Sequence, residues 1–325
     1  MLCNLNFKTD ALTSVMPTKL LRACLLSTMT TSLQHCPPEL LLHIATYACT
    51  DGGRTGCTLS EVSRYIRDAS RRARYHSLAI RKNRSLLALG ELLINPPTPF
   101  IVRHLFVSAW IPCVGPCRPR NQEKLLQALE RVFECVSSTL HTLIVDSPRL
   151  KKSPTIKFPL LTDLSIDTLR SEPLAPYPQT FFPALRRLHV ADCCYVRPRE
   201  LWRDLAAYAP TLTHLRLSYV EEGDELLHML RALLQRPSEV NGADAAPAVP
   251  DGTPKLCYAS VEPSWAMSET LETGLLSLAE DMENKKERSV AKFRLLEMKK
   301  DRYSTEEAYD DWLDLMGGGD GPWAL

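Results

Sequence analysis

Eleven cysteines and eight histidines are the residues of this sequence best suited to metal binding or nucleophilic chemistry, and their spacing matches neither. Cys113 and Cys117 stand four apart, with no second pair at the spacing of a zinc finger and no histidine pattern to complete one. Adjacent Cys193 and Cys194 read as a buried thiol and its neighbour. There is no G-x-S-x-G, no phosphate-cradling Walker loop, no dinucleotide fingerprint and no H-E-x-x-H. The expectation is a non-enzymatic chain without cofactor or metal, whose work is binding. An odd, scattered set of cysteines fits a reducing compartment, cytoplasm or nucleus, better than a disulfide framework.

The first set of candidate binding residues lies on a short helical unit. Pro38 suits the first position of a helix, where its missing N–H costs nothing. Leu40, Leu41, Ile44, Ala45 and Ala48 recur at the spacing of one helical face. Asp51-Gly52-Gly53, with Gly56, breaks the chain. Thr58 and Glu61 form a capping box that opens a second helix with the stripe Leu59, Val62, Ile66 and Ala69. A third segment, Arg72 to Ser77, leads into Leu78 and Ile80. A trio of this size buries little surface, so its apolar face seeks a partner or the rest of the chain. Arg64, Arg67, Arg71, Arg72, Arg74, Arg81, Lys82 and Arg84, opposed only by Asp68, make a basic run. It reads as a solvated face, a steering surface for an acidic partner, or a nucleic-acid contact.

The second set sits in a recurring triplet. Leu140, Leu143 and Val145 are spaced three and then two apart, and so are Leu161, Leu164, Ile166, then Leu185, Leu188, Val190, then Leu212, Leu215, Leu217. Val102, Leu105 and Val107 make a looser copy. Pro159, Pro183 and Pro210 each precede a first leucine by two residues. This spacing is the signature of a leucine-rich repeat, whose units must stack to hide their apolar faces. The residues between inward positions then line a concave surface: His104 and Phe106, Thr142 and Ile144, Asp163 and Ser165, Arg187 and His189, His214 and Arg216. Phe106, Ile144, Arg187, His189, His214 and Arg216 are the expected target contacts. The Arg and His residues among them suit an acidic or phosphorylated peptide. Outer helices are expected over Gln122–Val136, Pro198–Tyr208 and Glu221–Leu234.

Around these sets, 325 residues with 45% hydrophobic content, 52 leucines, 24 prolines and a net charge of +1 indicate a folded chain. The near-zero charge argues against a whole-surface nucleic-acid binder. No apolar run reaches the 18 residues of a membrane helix. Residues 1–33 read as a leader, either ragged or a mitochondrial-type presequence. Residues 34–82 form the helical domain, and 83–99 a connecting helix (Ser85–Ile94) with a Pro-rich turn. Residues 100–236 hold the repeats and 237–255 a Pro/Ala/Gly loop. Residues 256–325 add strands at Leu256–Val261 and Phe293–Met298, a helix at Met267–Met282, and an amphipathic cap at Glu306–Met316. The fold class is an α/β repeat with parallel strands and outer helices.

Cys36-Pro37-Pro38-Glu39-Leu40-Leu41-Leu42-His43-Ile44 and Leu59-Ser60-Glu61-Val62-Ser63-Arg64-Tyr65-Ile66 resemble the F-box, which opens Leu-Pro-x-Glu-Leu-Leu-x-x-Ile and continues with Val-Ser-Arg or Val-Cys-Arg and an aromatic residue. Tyr75 to Ile80 is similar to its closing segment. Cys36 stands where Leu is usual, Tyr65 where Trp is common, and a Gly-containing insertion lengthens the first turn. The combination with degenerate repeats resembles F-box proteins of fungi. The resemblance implies a substrate receptor of a ubiquitin ligase. A Skp-type adaptor, and through it a cullin scaffold, would be bound by Pro37, Pro38, Glu39, Leu40, Leu41, Ile44, Leu59, Val62, Ser63, Arg64 and Tyr65. The alternative is a non-catalytic interaction scaffold that engages no adaptor.

Overall fold

Eight strands lie side by side in the order in which the chain makes them, every neighbouring pair parallel. The computed structural model describes residues 33, 36–95, 100–108, 119–146, 156–167, 181–193, 201, 205–221, 224–234, 254, 256–284 and 291–323. The expected leader apart from Leu33, the turn at 96–99, Cys113, Cys117, Cys194, much of the 198–208 helix and nearly all of the 237–255 loop lie outside them.

The strands are β1 (Ser77–Ile80), β2 (His104–Val107), β3 (Thr142–Val145), β4 (Asp163–Ile166), β5 (Arg187–Val190), β6 (His214–Val220), β7 (Tyr258–Pro263) and β8 (Lys292–Leu295). The triplets set their register: Leu105, Leu143, Leu164, Leu188 and Leu215 stand abreast, as do Val107, Val145, Ile166, Val190 and Leu217. Successive strand residues point to opposite faces, so these two rows share one face. All ten are buried there against the outer helices. Those helices are α4 (Asn83–Leu92), α5 (Pro119–Val136), α6 (Asp224–Leu234) and α7 (Glu269–Asn284), and residues 205–208 are helical as well. Leu161, Leu185 and Leu212, the first members of their triplets, are almost wholly buried where the chain turns into a strand. Pro159, Pro183 and Pro210 stand at those turns, their fixed φ suited to the position.

The helical unit differs from expectation in three places. Its first helix, α1 (Pro38–Ala48), begins at the expected proline. The second, α2 (Arg54–Val62), starts a turn before Thr58, because the Asp51 carboxylate accepts the Thr55 N–H and hydroxyl at 3.0 and 2.8 Å. Thr58 is therefore mid-helix, its hydroxyl donating to the Arg54 carbonyl. Extended Ser63 then breaks the expected continuous stripe, and its hydroxyl caps α3 (Arg64–Ala69) by accepting the Ile66 N–H. The segment from Tyr75 to Ile80 contains β1, so the sheet begins inside residues 34–82 rather than after residue 100.

Gly52 joins helical unit to sheet. Its N–H donates to Ser77 Oγ, its carbonyl accepts the Ala79 N–H, and Ser77 Oγ donates to the Cys49 carbonyl. With φ +76°, and space for a Cβ only 2.8 Å from that of Ala79, the position requires glycine. The inserted glycines thus cover the open edge of β1. The last helix, α8 (Thr305–Met316), begins with a capping box of Ser304 and Glu307 and is followed by a 3₁₀ turn, Gly321–Trp323. It does not cap the end of the sheet. It lies on the face opposite the outer helices.

Candidate protein-docking surfaces

Helix α1 presents two faces. Leu41 and Ala45 are buried, and Ala45 forms with Cys49 and Ala73 a small core that Leu42 and Leu59 complete. Leu40, Ile44 and Tyr47, spaced four and then three apart, point outward and are 48%, 53% and 72% exposed. Val62, closing α2, is 58% exposed. Pro37 and Pro38 hold the start of the helix rigid. Among the expected adaptor contacts, Pro37, Pro38, Glu39, Leu40, Ile44, Val62 and Arg64 are exposed. Leu41 is buried, Leu59 half-buried, and Ser63 occupied as a cap. The Tyr65 hydroxyl donates to the Cys36 carbonyl at 2.5 Å, tying α3 to the start of α1. Tyr47 was not among the expected residues. Its place one turn beyond Ile44 on the same stripe was the available signal.

The sheet face opposite the outer helices is not the free surface that the sequence pattern predicts. Phe106, Ile144 and His189 are almost completely buried, and burial removes them as direct target contacts. The cover is α8. Phe106 packs against Tyr309 and Trp312 with ring centroids 5.2 and 6.0 Å apart, and Ala308 completes the cluster with Ile144. The first three strands offer apolar Ala79, Phe106 and Ile144 to the aromatic side of the helix. Strands β4 to β6 offer Ser165, His189 and Arg216, and here the cover is polar. His189 bridges Ser165 Oγ and Ser218 Oγ at 3.1 and 3.0 Å beneath the Tyr303 ring. Burial, then Arg216 and Lys299, hold its imidazole well below the ordinary histidine pKa. Arg216 donates to the Pro322 carbonyl and approaches Glu262 at 3.4 Å, and Lys299 pairs with Glu262 at 3.3 Å and Glu307 at 3.0 Å. Arg216 is thus engaged by the chain's own C-terminal segment.

The row that opens each strand is covered only in part: Thr142 is buried, whereas His104, Asp163 and Arg187 are half-buried. His104, Thr142, Asp163 and Arg187, with Arg103, His141 and Thr162 just before the strands, line a cleft of about 340 Å³ bounded on one side by Leu315 and Met316 of α8. Arg187 pairs with Asp163, and His214 is half-buried beside it, its pKa lowered by burial and by Arg187 against the opposing Asp163. Arg103 and His141 were missed by the sequence reading because they stand one residue before the strands, ahead of the alternating positions that the triplets single out.

Among the described residues no group of three or more His, Cys, Asp or Glu is placed to hold a metal ion, and no helix is long and apolar enough to cross a membrane. No protein-family model matches the chain, and a comparison with curated proteins finds no match. The function therefore rests on the surfaces alone.

Proposed function

We propose that this protein is the substrate-receptor subunit of a cullin-type ubiquitin ligase, a leucine-rich-repeat F-box protein that grips a Skp-type adaptor with α1 and the end of α2 and holds a target on its solenoid. One observation carries the reading: Leu40, Ile44 and Tyr47 stand in solvent on a helix that two prolines start, inside the segment whose order of residues resembles the F-box. Exposed apolar side chains on a rigid helix cost little entropy to dock. Each aliphatic one is worth about 1.5–3 kcal/mol when fully buried, enough for two or three to dominate an interface. The triplets standing in register support the repeat half of the reading. The protein's contribution to ubiquitin transfer is then proximity, a raised effective concentration of the target's lysines around another enzyme.

Leu41, Ser63 and Tyr65 favour a second reading, a scaffold without an adaptor, since they serve the chain's own packing. Affinity capture of the intact chain separates the two. Adaptor and cullin co-purify under the first reading and disappear with Leu40→Asp plus Ile44→Asp while the circular dichroism spectrum is unchanged. Capture of neither by the intact chain selects the scaffold.

A further inference from the structure

The open cleft beside the end of α8 holds an excess of hydrogen-bond donors and positive charge that the chain does not satisfy. Among the described residues the Arg103 guanidinium has no acceptor. Asp163 is the cleft's one carboxylate, and it is engaged by Arg187 and by the Thr162 hydroxyl. His104, His141 and Thr142 share the lining, His104 Nδ1 lies 3.2 Å from Thr142 Oγ1, and the His76 ring stands 5.1 Å behind that of His104. Backbone pairing builds the cluster: Arg103 and His104 N–H both donate to the His76 carbonyl, and His141 and Thr142 N–H both donate to that of Arg103. The side chains that precede three consecutive strands are thereby stacked at one end of the sheet, with Arg103 between two imidazoles in chain order.

We propose that this cleft is an oxyanion-binding site that takes a phosphate-class group, with Arg103 and His141 as its principal donors and Thr142 and His104 beside them. A guanidinium next to imidazole N–H groups supplies the charge-assisted donors such a group needs, and Arg187, its charge matched by Asp163, closes the far side. The electrostatics agree. Burial lowers the pKa of all three imidazoles, His104 to about 3, and Arg103 lowers each further. An anion reverses that repulsion, whereas a cation adds to it. Leu315 and Met316 give the cleft an apolar side, which fits an oxyanion carried on a peptide better than a free one. The site requires no adaptor and stands apart from the ligase reading.

Calorimetric titration of the full chain with inorganic phosphate, and separately with capped phosphoserine (N-acetyl, C-amide), tests the site. Saturable binding of either is expected, tighter for capped phosphoserine if the group arrives on a chain and tighter for free phosphate if it does not. Arg103→Gln or His141→Gln should weaken it at least about tenfold. Arg131→Gln, an equal charge loss on outer helix α5, should change it less than about twofold. Absence of saturable binding by both probes overturns the site, and so does equal weakening by Arg103→Gln and Arg131→Gln.

Discussion

His189 shows how one side chain links the strand pattern to acid sensitivity. It is fully enclosed, with a serine hydroxyl on each ring nitrogen and an aromatic ring above, so protonation would strand a charge where water cannot reach it. Burial likewise brings His104 to about 3 from the ordinary 6.5. Both values lie below those of the unfolded chain. Above pH 6.5 neither state is charged at these residues and the stability is fully present; as pH falls below that, the unfolded chain takes up protons that the folded one refuses. Stability should therefore decline from about pH 6.5 toward pH 3, read as urea midpoints at pH 7.5, 6 and 5. A flat profile would contradict the buried, neutral imidazoles. His189→Gln should cost about 1–3 kcal/mol at pH 7.5 and shallow the decline. The strand alternation put His189 on the face away from the outer helices, where it lies, and nothing local showed that the face was covered.

Helix α8 was legible as an element and illegible in its placement. Its amphipathic period over Glu306–Met316 is a local feature that survives in the structure, where a Ser304–Glu307 capping box, equally local, starts the helix at Thr305. Where it docks depends on Tyr309 and Trp312 meeting Phe106 and Ile144 across more than 150 residues. Two leftovers pointed to the match: apolar residues on a face that should be wet, and an aromatic stripe on a terminal helix with no assigned neighbour. Trp312 is fully buried, so Trp312→Ala should cost about 3–5 kcal/mol in urea denaturation. Trp265, 63% exposed, provides the contrast: Trp265→Ala should stay within about 0.5 kcal/mol. Equal costs would mean that α8 is not seated on the sheet. The opposite error occurred at Thr58, where a sound capping box lost to the carboxylate of Asp51, which starts the helix one turn earlier.

A stack of repeats touches only its neighbours, so its ends can unfold independently. This molecule adds a strap. Residues 299–323 reach Asp146 after β3 through Thr305, Phe106 on β2, His189 on β5, Arg216 on β6 and Glu262 on β7, binding distant strands into one unit. Urea unfolding of the intact chain should be a single transition. A chain ending at Lys300 should unfold at lower urea with a smaller m-value or in two steps, and should bind a hydrophobic dye through the bared Phe106 and Ile144. Unchanged midpoint and m-value would show that the strap bears no part of the cooperativity. The same strap covers the middle of this sheet face and leaves the cleft beside Arg103 and His141 open.

By itself the sequence determined strands β2 to β6, their register and most of the outer helices, because a triplet of buried residues and a turn proline are decisions taken within one short segment. It marked α1 as an apolar helix but put Leu40, Leu41, Ile44 and Ala45 on one face, which the structure splits into a buried side with Leu41 and Ala45 and an exposed side with Leu40, Ile44 and Tyr47. Only the tertiary structure decided which face α8 covers, that β1 belongs to the sheet, and that Arg103, His104 and His141 gather beside one cleft. Those outcomes depend on pairing between segments far apart in the chain, where complementary surfaces meet without any local period to announce them.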